Sequence, residues 1–81
     1  MTLREMREAR GLLKVEVARQ LDVQPTMIAQ WENGRSGMAQ KTVRALAVLY
    51  KVEEEEVKAA SEAARALYRA AVEANAGANA S

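Results

Sequence analysis

The chain has 81 residues, a net charge of +1, no Cys and no His, so disulfides and the usual zinc sites are excluded. With one Trp, two Tyr and no Phe, a core must be built from Leu, Val, Ile, Met and Ala, which suits close-packed helices. No apolar run approaches the ~20 residues that span a bilayer, and Met1-Thr2-Leu3-Arg4 leads into a polar helix rather than a signal peptide. The expected place is therefore cytoplasmic, without a membrane partner. A single domain of this size buries only about 60% of its unfolded surface and gains from a partner subunit.

Strand signals are nearly absent. The first helix is expected from Thr2, an N-cap with Glu5 three residues on, to about Arg10. Leu3 and Met6 mark its inner face, with Ala9 close by, and Gly11 ends it. A second helix spans Lys14 to Leu21 with Val17, Ala18 and Leu21 inward. Leu13 stands where an N-capping Ser or Thr is usual. Asp22-Val23-Gln24 reads as a turn. Pro25 fits the first position of a third helix, where its missing N–H costs nothing, and Asn33-Gly34 closes that helix. Arg35 to Ala39 is a loop. A fourth helix, Gln40 to Tyr50, turns Val43, Leu46, Ala47 and Leu49 or Tyr50 inward. Glu53 to Glu56 suit the start of a fifth helix, where the dipole favours acids. That helix runs to about Asn75, and residues 76–81 are expected to fray.

The small net charge hides an asymmetry. Residues 1–51 carry nine Lys/Arg against five acids, or +4; residues 52–81 carry three against six, or −3. A polyanion would meet the basic part, although an ordinary solvated surface explains +4 as well. Catalytic and metal residues are not expected: the sequence has no glycine-rich phosphate loop, and its acids cluster at a helix start. No cofactor is implied.

Two short amphipathic helices around a four-residue turn, Asp22 to Pro25, have the layout of a helix-turn-helix. Four motifs occur in order: Leu3-x-x-Met6-Arg7-x-x-x-x-Gly11-Leu12, Val17-Ala18-x-x-Leu21-x-Val23, Ile28-x-x-Trp31-Glu32-Asn33-Gly34-Arg35, and Leu46-Ala47-x-x-Tyr50-x-Val52. Together they resemble the lambda-repressor-like, Cro/C1-type (XRE-family) helix-turn-helix domains. The resemblance covers about Leu3 to Val57. It implies an all-α, compact five-helix domain with an extended C-terminal helix, and binding to double-stranded DNA as a homodimeric transcription regulator, a repressor at a palindromic operator.

The resemblance also assigns roles. Gln24, Pro25, Thr26, Met27 and Gln30 align with base-contacting positions, and a Gln amide or Thr methyl suits adenine or thymine in the major groove. Lys14, Asn33, Arg35 and Lys41 align with backbone phosphate contacts. Arg7 and Glu32 resemble a partly buried structural ion pair. The chain divides on this reading into residues 1–57, the DNA-binding domain, residues 58–75, a helical extension, and the tail 76–81. In the extension, Leu67, Tyr68, Ala71 and Val72 form part of an apolar stripe read as a dimerisation surface. Lys14 in place of the usual Gln, with Pro25 and Met27 on the reading helix, leaves an alternative open. The same scaffold serves as an antitoxin or other module that binds a small protein partner.

Overall fold

A computed structural model describes the backbone of residues 1–79 and the side chains up to residue 76. Five helices follow one another: α1 (Leu3–Ala9), α2 (Lys14–Leu21), α3 (Pro25–Asn33), α4 (Gln40–Tyr50) and α5 (Glu54–Asn79). The first four lie where the apolar spacing and turn residues put them. The fifth runs four residues beyond the expected end at Asn75, carried by the high helix propensity of Ala70, Ala71, Ala74 and Ala76. The tail expected to fray is thus helical as far as Asn79; residues 80 and 81 lie outside the described residues.

One device starts three of the helices. Thr2 Oγ1 accepts from the Glu5 N–H at 3.1 Å while the Glu5 carboxylate accepts the Thr2 N–H at 2.8 Å, a complete capping box. Those bonds hold the Glu5 carboxyl below its ordinary range. Leu13 has no capping side chain, as expected, but Glu16 accepts its N–H at 2.8 Å. Glu56 does the same for Glu53 at 2.8 Å. The glutamates therefore stabilise the helix starts even where the N-cap residue cannot.

One device also ends four helices. Gly11, Asp22, Gly34 and Lys51 each adopt the left-handed conformation. After each, the next residue's N–H reaches back five residues: Leu12 to Arg7, Val23 to Ala18, Arg35 to Gln30 and Val52 to Ala47. Leu12, Val23 and Val52 fold their side chains against the core. Arg35 is the exception, and it is exposed.

The core gathers Leu3 and Met6 from α1, Val17 and Ala18 from α2, Ile28 and Trp31 from α3, Val43, Leu46, Ala47 and Tyr50 from α4, and Val57 and Ala60 from α5. Ala9, beside the inner face of α1, is exposed; the buried residue there is Arg7. Burial along α5 continues past Val57 to Ala60 and Ser61. Gly34 is packed so closely against α5 that an added Cβ would overlap the carbonyl group of Ala64. This glycine meets two demands, a φ of +77° and a close backbone approach.

Gly11 shares the left-handed backbone but faces open space, with nothing within 4 Å of an added Cβ. Gly11→Ala should cost only the left-handed penalty, about 1–2 kcal/mol. Gly34→Ala should add an overpacking penalty of about 1–3 kcal/mol. Urea denaturation of the two variants checks the difference; equal losses would show that α5 yields at no cost.

Candidate nucleic-acid interface

The turn between α2 and α3 is set by small and branched residues. Ala18 is buried where the helices meet, Ile28 fills the angle from α3, and Val23 is half-buried beneath the turn. Proline at the first position of α3 drives the preceding residue into extended backbone, and Gln24 has ψ 146°. Its side chain makes no cap. Gln24, Pro25 and Thr26 are consequently exposed together at the start of α3, with no packing role. Met27 is half-buried and packs on the core. Gln30 is half-buried as well, and its Oε1 accepts a hydrogen bond from the Ser36 hydroxyl at 3.1 Å. That bond fixes the amide while leaving its N–H groups and one lone pair of the oxygen free.

The four expected phosphate contacts are all exposed. Asn33 and Arg35 flank Gly34 at the end of α3. Lys41, near the start of α4, borders a hollow of about 450 Å³ shared with Asp22, Val23 and Trp31. Lys14 stands apart, at the end of α2 remote from the turn. Among the described residues, Arg4, Arg7, Arg44 and Lys58 each have a carboxylate within 4.0 Å. Lys14, Arg35 and Lys41 have none, and neither do Arg10, Arg19, Lys51, Arg65 and Arg69.

Trp31 is buried as the core aromatic, and among the described residues its Nε1–H has no acceptor. Its place rests on apolar contact alone. Behind it, Arg7 and Glu32 form the expected ion pair. Arg7 Nε donates to Glu32 Oε2 at 2.7 Å and Nη2 to Oε1 at 3.2 Å, while Nη1 donates to the Leu12 carbonyl at 2.9 Å. Only 8% and 6% of the two side chains remain exposed. Hydrogen bonding to Glu32 raises the Arg7 pKa, keeping the guanidinium charged despite burial. Tyr50 lies near the pair; burial, and then the Glu32 charge, push its phenol up to about 12.

Along α5, Leu67, Tyr68 and Val72 are 73%, 37% and 46% exposed, and Ala71 is exposed as well. Leu67 borders a hollow with Met1, Thr2, Asn33 and Ala63, so it lies on the flank of α5 nearest the N-terminus. The opposite flank carries Lys58 and Arg65, beside Gly37 and Met38 of the α3–α4 loop. Sequence reasoning missed three residues of this region: Ser36, Met38 and Arg65. Ser36 and Met38 belong to the α3–α4 loop and Arg65 meets it from α5, and no helical spacing announces such contacts.

These elements make an all-α helix-turn-helix domain whose third helix presents polar side chains outward. The family model described as the helix-turn-helix domain matches residues 1–60. The chain belongs to that family. No curated protein and no solved structure matches it significantly. Among the described residues no helix is long and apolar enough to cross a membrane.

Removing one charge of the buried pair strands the other. Glu32→Gln should cost about 3–5 kcal/mol, whereas Arg4→Ala, which breaks the exposed Arg4–Glu8 pair, should cost at most about 1 kcal/mol. Chemical denaturation measures both, and a Glu32→Gln loss as small as that of Arg4→Ala would show the pair to be dispensable. The raised Tyr50 pKa sets a second expectation. Below its unfolded value of 10 the contribution is fully present; as pH rises from there towards about 12, the unfolded state ionises first and stability is lost. Tyr50→Phe should flatten that alkaline loss in melts taken across the range. An unchanged slope would assign the loss to other groups.

Proposed function

We propose that the protein is a sequence-specific double-stranded DNA-binding regulator, acting as a repressor at palindromic operators with α3 in the major groove. The observation that carries this reading is the exposed polar start of α3. Gln24, Pro25 and Thr26 serve no packing purpose on a helix otherwise fixed by buried Ile28 and Trp31. Gln30, held by Ser36, still offers an amide edge to adenine, and the Thr26 methyl suits thymine. Met27 adds an apolar edge. Lys14, Asn33, Arg35 and Lys41 surround this work with phosphate contacts that position the domain without reading sequence. Lys14, Arg35 and Lys41 are unpaired among the described residues, so no surface ion pair has to break before a phosphate binds.

A homodimer completes the proposal. Leu67, Ala71 and Val72, with Tyr68 between them, continue the apolar side of α5 beyond the buried core. A second copy covering them would set two α3 helices about 34 Å apart, one turn of duplex. A location in the cytoplasm follows from this role. The second reading, docking of a small protein partner, is favoured by one observation. An apolar hollow between α2 and α4, lined by Leu21, Ala45 and Leu49, is edged by Val48, which is 75% exposed.

Selection from random duplex DNA with the intact protein should enrich a palindrome. Gln30→Ala and Thr26→Ala should each relax preference at one or two base pairs by about 1–3 kcal/mol. Leu67→Glu should give monomers in sedimentation and lose affinity for the full palindrome while keeping half-site binding. Absence of duplex binding at low salt would overturn the DNA reading and favour the protein-partner one.

A further inference from the structure

The α3–α4 loop is covered on one side by α5, and the covering residues are cationic and aromatic. The Arg35 guanidinium lies 6.0 Å from the centre of the Tyr68 ring, within cation–π range. The Arg65 side chain lies along Gly37; an added Cβ there would sit 3.6 Å from Nη1 and 3.7 Å from Cδ and Cζ. The loop between them is tied back to α3 by the Ser36–Gln30 hydrogen bond. Arg35 also occupies the position where the three other helix ends place an apolar side chain against the core. Its side chain goes instead to Tyr68. Glu62 borders the same hollow as Arg65, yet among the described residues no carboxylate lies within 4.0 Å of either arginine. Two unneutralised guanidiniums, one at the start of the loop and one from α5, therefore lie on this loop next to the end of α3.

We propose that Arg65 and Arg35 form a two-pronged clamp for the DNA sugar–phosphate backbone, and that Tyr68 is a positioning residue for Arg35. This rests on the DNA-binding reading above. A phosphate takes two donors from one guanidinium, and holding the guanidinium in advance reduces the ordering cost of the contact. The Tyr68 ring supplies that hold for Arg35, and Arg65 lies alongside Gly37. Arg69, one turn beyond Arg65, extends the same flank of α5. The C-terminal helix thus takes part in the DNA interface itself.

The test is the salt dependence of binding to a duplex of unselected sequence. For every phosphate that a variant no longer neutralises, the slope of log affinity against log salt should fall by about 0.9. Arg35→Gln and Arg65→Gln should each lower it by that amount per protomer, about 1.8 for a bound dimer, and Arg65→Lys should retain it. Tyr68→Leu should weaken binding in the parent but add nothing to Arg35→Gln, while Tyr68→Phe keeps the parent affinity. Sedimentation and thermal melts run alongside. An Arg65→Gln slope equal to the parent's would overturn the clamp. Equal effects of Tyr68→Leu with and without Arg35, or an effect that appears only with loss of dimer, would overturn the positioning role. No salt-sensitive binding by the parent would remove the DNA reading itself, a distinct failure.

Discussion

The buried pair between Arg7 and Glu32 is the constraint on which the rest depends. It joins α1 to the last turn of α3, and the third guanidinium bond, to the Leu12 carbonyl, joins both to the α1–α2 connection. Two charges removed from water rarely repay their desolvation better than a hydrophobic pair would. What they add is direction. A guanidinium accepts only one arrangement of a carboxylate and a carbonyl, so α3 cannot slide or rotate against α1 without stranding a charge. Apolar packing among core residues such as Val17 and Ile28 tolerates small shifts; this pair does not. The outward residues of α3 are thereby held at a fixed rotation.

The second fixed point is the contact of Gly34 with α5. The left-handed residue that ends α3 is also the place where two backbones meet. Ala64 is small enough to allow the approach, and the buried Ala60 and Ser61 sit one turn earlier. As a result α5 is locked to the end of α3 rather than to the core alone. The loop that follows Gly34 must then pass along α5, which brings Arg35 to Tyr68 and Gly37 to Arg65. Local backbone chemistry at a single glycine thereby decides which side chains of a distant helix border the candidate interface.

Much of the fold was legible because its signals are local. Pro25, Gly34 and the capping glutamates mark helix ends within a few residues, and the apolar spacing of Val43, Leu46, Ala47 and Tyr50 names a buried face. The Arg7–Glu32 pair was legible only through the family resemblance, since nothing in the spacing of two residues 25 apart announces a contact. The left-handed Asp22 and Lys51 were not foreseen as helix ends of the same kind as Gly34, because neither is glycine. Ser36, Met38 and Arg65 were missed for a related reason. Arg65 meets the loop where α5 crosses it, and Ser36 acts through a bond back to Gln30; both follow from the path of the loop, which tertiary packing sets and periodicity does not.

Net charge alone did not distinguish an interface from a solvated surface at +4. Pairing already occupies some of the cations. Lys41 and Arg44 are three residues apart on α4, yet Arg44 Nε lies 3.8 Å from Glu54 Oε2, and Gln40 donates to the other oxygen of that carboxylate at 2.8 Å. Lys41, between them in sequence, has no carboxylate partner among the described residues. The acidic start of α5 therefore has two effects. It complements its own helix dipole, and it neutralises Arg44 where α4 and α5 meet. Lys41 is left to the hollow beside the turn, and Arg35 and Arg65 to the loop. The unpaired Lys41, Arg35 and Arg65 border the turn or the loop that follows α3, and the Arg7–Glu32 and Arg44–Glu54 pairs hold helices to each other. A polyanion approaching this molecule meets the first group without having to break the second.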